Sequence, residues 1–217
     1  GLYTYTSGKA VRAEQFPAVS VAGLCSDKAG NVWVSASDNV IRLSGGNSST
    51  ATLIGRFSGN PVQQLLSDRD GTLWIATAHG LSRYSNGILT NFTEEELADD
   101  PVISLLEDRE GSIWVGTFTG GLHRLRGAAF VTYTTLDGLS GDYIRSIIET
   151  KDGLWVATSQ GLSRMNGTVT TTYNSKNGLS SDNPITALYE ARDETLWIGG
   201  SSGSVDRYSN GKFTSLS

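Results

Sequence analysis

Few side chains in this chain of 217 residues are equipped for chemistry. There are two histidines, His79 and His123, one cysteine, Cys25, and one dense acidic stretch, Glu94, Glu95, Glu96, Asp99 and Asp100. Carboxylates suit a hard cation such as Ca²⁺, but the stretch lacks the regular acidic spacing and the glycine of a calcium loop, so it reads as a solvated charged loop. The histidines are expected in the loops that follow the tryptophan strands of neighbouring repeats, the B–C loops of the blades set out below, at nonequivalent offsets of five and nine residues after the Trp. No cysteine or third histidine joins them, and no metal site is expected. Cys25 has no disulfide partner; it stands where related segments carry Leu66 and Leu106, and reads as a small buried hydrophobe rather than a reactive thiol. A Gly-x-Ser-x-Gly elbow, a Cys and His combination and a phosphate-cradling glycine loop are all absent. The residues therefore predict a segment without catalysis, metal or cofactor of its own.

Composition narrows the partners. The net charge is −5, and lysine and arginine are scattered through turns with no basic stripe, which argues against a nucleic acid. No stretch approaches the roughly 18 apolar residues of a membrane span, so no membrane contact by this segment is expected. The N-terminus, Gly1-Leu2-Tyr3-Thr4, has neither the basic nor the apolar region of a leader. Hydrophobic residues make up 38% of the chain, enough for one substantial core.

The elements that position these residues follow from a repeat. Trp33, Trp74, Trp114, Trp155 and Trp197 are the five tryptophans, spaced 41, 40, 41 and 42 residues apart. A period near 40 with one aromatic mark per unit indicates a propeller or a solenoid. Before each Trp comes a turn such as Arg69-Asp70-Gly71 or Arg109-Glu110-Gly111, suited to the positive φ of a tight hairpin. An apolar run precedes the turn, as in Val102-Ile103-Ser104-Leu105-Leu106. An alternating segment and a Thr/aromatic segment follow the Trp, as in Gly161-Leu162-Ser163-Arg164-Met165 and Val169-Thr170-Thr171-Thr172-Tyr173. Four short strands per period and no long helical periodicity make the unit a four-stranded antiparallel propeller blade.

Calling the strands A to D from the propeller axis outward, the expected fold is an all-β propeller with five full blades and an opening C and D half blade. The half blade takes 1–14, and the blades about 15–57, 58–93, 94–134, 135–174 and 175–217, in a single domain. Strand A is expected near 20–26, 61–67, 101–107, 143–149 and 184–190. Along strand B, Trp shares a face with a small residue two places on: Ser35, Ala76, Gly116, Ala157 or Gly199. A large ring beside a small residue suits tightly stacked blades. Five and a half blades do not close a ring, and the count predicts a piece of a larger propeller of about seven blades, each subtending about 51°.

The elements Asp137-Gly138-Leu139-Ser140, Val102 through Thr117, Gly120-Gly121-Leu122-His123-Arg124-Leu125 and Phe130-Val131-Thr132-Tyr133 together resemble the two-component regulator propeller repeat, and the likeness extends over nearly the whole chain. The first repeat departs most, since Val34-Ser35-Ala36-Ser37-Asp38-Asn39 lacks the Gly-Thr and Gly-Gly-Leu elements. The resemblance implies the periplasmic or extracytoplasmic sensor region of a bacterial membrane-bound histidine kinase, hybrid two-component system or diguanylate cyclase.

In a propeller the B–C and D–A loops open on one face, and here they are longer and more varied than the A–B and C–D turns. Variable loops on a rigid scaffold are the usual place for recognition. Tyr143, Arg145, His79, Phe118, Gln160 and Asp182 lie in or beside these loops and are the candidate ligand-binding residues. Eleven residues before each Trp stand Ala22, Gln63, Ile103 and Thr186, with Arg145 equivalent after a one-residue deletion; these positions are candidates to line the central channel. Arg145 either pairs with Asp142 at the channel mouth or receives an anionic ligand such as a uronate or carboxylated sugar. The leading expectation is a ligand-sensing or protein-interaction module whose partners are a small saccharide or anionic molecule, or a protein, and the remaining domains of the parent receptor. The alternatives are a propeller enzyme of lyase or glycosidase type, with acid and base drawn from separate blades, and a scaffold that binds no small ligand.

Overall fold

The computed structural model describes residues 1–13, 16, 19–44, 50–92, 97, 99–127, 129–181 and 184–216. They divide into two compact units, Gly1–Glu94 and Glu95–Ser217. The first unit holds the hairpin β1 (Tyr3–Thr6) and β2 (Lys9–Arg12), then two four-stranded sheets. Blade one is β3 (Val21–Ser26), β4 (Val32–Ala36), β5 (Asn39–Ser44) and β6 (Thr50–Arg56); blade two is β7 (Val62–Ser67), β8 (Leu73–Thr77), β9 (Gly80–Ser85) and β10 (Ile88–Asn91). The second unit holds blade three, β11 (Val102–Glu107), β12 (Ile113–Thr117), β13 (Leu122–Arg126) and β14 (Ala129–Tyr133). Blade four is β15 (Ile144–Thr150), β16 (Gly153–Thr158), β17 (Gly161–Asn166) and β18 (Val169–Tyr173), and blade five is β19 (Ile185–Glu190), β20 (Leu196–Gly200), β21 (Val205–Ser209) and β22 (Lys212–Leu216). Each blade is an antiparallel meander in chain order. Among the described residues no helix is long and apolar enough to cross a membrane.

The A–B turn is built by one acidic side chain six residues before the Trp. Asp108 Oδ1 accepts the backbone N–H of Glu110 at 3.0 Å and of Ser112 at 2.8 Å, and its Oδ2 accepts the indole N–H of Trp114 at 2.8 Å. Asp68 does the same for Asp70, Thr72 and Trp74. Asp27 serves Ala29, Asn31 and Trp33. A carboxylate thus closes the hairpin and orients the ring that blade packing depends on. In blade four, one residue shorter here, Thr150 Oγ1 takes both the Asp152 N–H and the Trp155 indole N–H at 3.1 Å. Opposite the Trp on strand C stands an arginine, and the guanidinium carbons of Arg42, Arg124 and Arg164 lie 5.8, 5.5 and 5.5 Å from the centroids of Trp33, Trp114 and Trp155.

Blade five keeps the turn without the acid. The Ala191 N–H reaches Thr195 O as the Asp108 N–H reaches Ser112 O, but a methyl replaces the carboxylate. Restoring it with Ala191→Asp is expected to raise stability by about 1 kcal/mol, read as a shift of the denaturant midpoint, because Trp197 gains the acceptor its counterparts have.

Blades pack through the indole face. Within the second unit, Trp114 and Leu122 of blade three meet Ile144, Ile147, Leu154 and Val156 of blade four, with Leu139 plugged in from the loop between them. Trp155, Ala157 and Leu162 meet Ile185, Leu196, Ile198 and Tyr208 in the same way, with Leu179 as the plug. The buried leucine explains the Gly-Leu-Ser element of these loops: Gly138 adopts φ +91° to turn the chain, and Leu139 enters the core. In blade three the small residue two after Trp is a steric requirement: a Cβ at Gly116 would fall 2.5 and 2.8 Å from Cγ2 and Cβ of Ile144.

Every A strand carries one irregularity at the same place. Val62 pairs with Thr77 and Gln64 with Ala76, so Gln63 is an extra residue opposite none. Ile103, Arg145 and Thr186 are its counterparts, and Ala22 occupies the same place in blade one. These are β-bulges, and they re-aim one side chain per blade.

Candidate functional site

Of the six candidate residues, three are linked by contact, with Tyr143 touching both Phe118 and Arg145. Phe118 sits in the B–C turn of blade three, Tyr143 ends the D–A loop entering blade four, and Arg145 is that blade's bulge residue. The rings of Phe118 and Tyr143 lie 4.3 Å apart at an interplanar angle of 50°, and the Arg145 guanidinium carbon lies 4.4 Å from the Tyr143 centroid. Each is locally fixed: the Phe118 N–H donates to Pro101 O at 3.0 Å, and Tyr143 O accepts from Ser159 N–H at 3.1 Å. Phe118 remains 45% exposed, while Arg145 Nε is buried with no hydrogen-bond partner. An apolar surface of two tilted rings therefore ends at a guanidinium whose buried Nε has no hydrogen-bond partner.

The expected alternative, an Arg145 and Asp142 ion pair, does not form. Asp142 instead accepts the Thr135 N–H at 2.7 Å and the Thr135 hydroxyl at 3.2 Å at the start of the 3-10 turn Thr135–Asp137, whose cap is Thr134, and among the described residues Arg145 has no ion pair.

Gln160 is exposed in the B–C turn of blade four, its N–H held by Thr158 Oγ1 at 3.1 Å. It lies beside Gly141, where a Cβ would come 3.3 Å from its own Cβ. His79, in the first unit, is exposed in the corresponding turn of blade two, its N–H donating to Asn60 Oδ1 at 3.0 Å. Asp182 lies outside the described residues.

Two expectations need correction. His123 does not belong to a B–C loop: it is on β13, 6% exposed, with Nδ1 3.0 Å from Thr132 Oγ1. Asp100 is not a solvated loop acid: it is also 6% exposed, and its Oδ2 accepts the N–H groups of Thr119 at 2.7 Å and Gly120 at 2.5 Å. Glu94, Glu95 and Glu96 lie outside the described residues, and no cluster of three metal-binding side chains occurs among the described ones. In the sequence Asp100 is masked by the acids beside it. Its legible signal was the match with Asn60, an Asx residue directly before the Pro that opens strand A. Cys25 is half-buried against the blade one and two core, and burial pushes its thiol up to about 11.

The opposite end of the blades is tied shut from one blade to the next. Lys28 Nζ donates to Arg69 O at 2.6 Å, Arg109 N–H donates to Glu149 Oε2 at 2.8 Å, and Lys151 pairs with Glu194. A cleft of about 270 Å³ at that end is lined by Asp108, Glu110, Trp114, Arg124 and Glu149 among others. Its acids are already engaged: Asp108 by the turn, Glu110 by Arg124 and Arg126, and Glu149 by Arg109.

Four-stranded antiparallel meanders packed face to face through a recurring Trp define a β-propeller. The chain carries the repeats of the two component regulator propeller family, whose model matches residues 56–79, 96–119, 138–160 and 178–202. No curated protein matches the chain by sequence. Among solved structures it is similar to the extracellular domain of a B. thetaiotaomicron protein described as a hybrid two component system, with 20% identity and a TM-score of 0.80. That match covers 100% of this chain and 31% of the other. A second such extracellular domain, of a B. thetaiotaomicron one component system, gives 21% identity and a TM-score of 0.66 over 90% of this chain and 30% of that one. Virginiamycin B lyase from Staphylococcus aureus is similar at 18% identity and a TM-score of 0.71, over 90% of this chain and 69% of the lyase.

Proposed function

We propose that this chain is a ligand-sensing propeller segment of a bacterial membrane-bound signalling receptor, a two-component sensor or diguanylate cyclase, that it works outside the cytoplasm, and that it binds through the B–C and D–A loop face. The observation that carries the reading is the Phe118, Tyr143 and Arg145 cluster, an exposed aromatic surface beside a guanidinium with no ion pair among the described residues. The repeat family and the two extracellular domains of similar fold support the receptor context. The engaged acids and cross-blade ties at the other end favour a holding role there. The ligand is a small anion-bearing molecule, such as a uronate, stacked on Phe118 with its carboxylate at Arg145.

Calorimetric titration with galacturonate and glucuronate at pH 7.5 tests this. Arg145→Ala is expected to weaken binding about 10- to 100-fold, the equivalent of one charged hydrogen-bonded contact, and Phe118→Ala about 10-fold, with Glu110→Gln at the opposite end neutral. Failure of both uronates to bind the unaltered chain overturns the anionic-ligand reading, and loss of binding only in Glu110→Gln moves the site to the other face. Uronates recovered chemically altered would instead favour the enzyme reading that the fold of the lyase allows.

A further inference from the structure

The turn that carries Phe118, Thr117 to Gly121, rests on two buried groups that the ligand reading does not use. Asp100 holds it through the N–H groups of Thr119 and Gly120. His123 stands beneath it with Nε2 buried and without a hydrogen-bond partner. The two converge on one point: a Cβ at Gly120 would fall 3.2 Å from Asp100 Oδ2 and 3.3 Å from His123 Nε2. The imidazole is not a requirement of the corner. Ser82 and Ser163 occupy the equivalent place in blades two and four, where their hydroxyls satisfy local partners, Asn91 and Ser140.

A buried imidazole with an unmet Nε2 is at ease only when neutral, and its pKa is lowered by burial, which outweighs the opposing pull of Asp100. The strands on either side bring Val115 and Thr132 opposite His123, and the turn brings Gly120. Among the described residues Asp100 is the charged group acting on it.

We propose that His123 and Asp100 form a proton-operated latch on the loop bearing Phe118, closed while the imidazole is neutral and released when it is charged. In the released loop the imidazole is solvated and keeps its ordinary value of 6.5; in the closed loop that value is lower. The open form then binds more protons as the solution is acidified, so closure is complete above about pH 6.5 and weakens as the pH falls below it. The consequence for affinity rests on the ligand reading above, since Phe118 would lose its fixed position under mild acid. The latch itself does not need a ligand.

Amide exchange measured on the whole chain without ligand therefore tests it directly. Protection factors of the Thr119 and Gly120 amides, already corrected for intrinsic exchange, are expected to fall by up to about 5-fold from pH 6.5 to 5.5 in the unaltered chain. In His123→Ser, the residue that blades two and four use, they stay level, and His123→Gln serves as a second neutral variant. The imidazole resonance of His123 should titrate with a midpoint below 6.5. Protection that holds or rises on acidification, an equal fall in His123→Ser, or a midpoint above 6.5 overturns the latch. Phe118→Ala separates the two readings: it is expected to weaken uronate binding about 10-fold while leaving the acid-dependent fall in Gly120 protection intact. If the uronates fail to bind but that fall persists, the latch stands and the ligand reading alone is lost.

Discussion

Asp108→Ala is expected to cost about 3–5 kcal/mol, the largest effect of any single change at the surface of the A–B turns. The alanine removes an ionised acceptor from three donors at once, the N–H groups of Glu110 and Ser112 and the indole N–H of Trp114. Hydrogen bonds to a charged group contribute about 1.5–3 kcal/mol each, and donors left unmet in a buried corner add to the loss. The ring of Trp114 is 7% exposed and sits in the core shared by blades three and four, so its release unlocks more than the turn. Asp108→Asn keeps one acceptor oxygen and should cost about half as much. Denaturant unfolding followed by tryptophan fluorescence distinguishes the two, and a loss below about 1 kcal/mol for the alanine variant would show that the carboxylate is incidental to the repeat.

The second large effect comes from a single methyl group. Gly116→Ala places Cβ within 2.8 Å of the Ile144 Cβ, an atom fixed to the backbone of the neighbouring blade, and within 2.5 Å of its Cγ2. The blades must separate or the strand must shift, and overpacking of this kind costs about 3 kcal/mol. Gly199, two residues after Trp197, is the built-in control. A Cβ there would meet the Ala187 Cβ at 3.7 Å and the Ala187 carbonyl oxygen at 3.8 Å, ordinary contact, so Gly199→Ala is expected to be neutral or to stabilise by about 0.5 kcal/mol. Equal midpoints for the two alanine variants would mean that the glycine beside Trp114 is not set by the approach of the next blade.

Much of this molecule is legible in its sequence because the same turn chemistry recurs. The Trp positions, the positive-φ glycines such as Gly71 and Gly111, and the meander of four strands follow from local preferences that each repeat states again. Strand A was expected to start at 61 and 101 and starts at Val62 and Val102, with Pro61 and Pro101 outside the ladder. The bulges were not legible. One extra residue in a strand leaves no mark in composition, and Gln63 between Val62 and Gln64 reads as an ordinary alternating position. Nor could the sequence separate Asp100 from the acids beside it, because burial depends on the Thr117 to Gly121 turn closing over its carboxylate, a contact 20 residues away in the chain. His123 reads as a loop residue for a simpler reason: the double glycine of blade three lengthens the turn, so counting from the Trp puts a strand residue in the loop.

The bulges have one consequence for how such a protein can change. A residue left out of the strand ladder is free of the pairing that fixes its neighbours. In this one chain the slot is filled by alanine, glutamine, isoleucine, arginine and threonine at Ala22, Gln63, Ile103, Arg145 and Thr186, while the residue before it is always β-branched and apolar: Val21, Val62, Val102, Ile144 or Ile185. The architecture thus separates what must be kept from what can be rewritten. New recognition chemistry can be introduced one blade at a time, by substitution in the slot, without drawing on the packing that keeps the blades together.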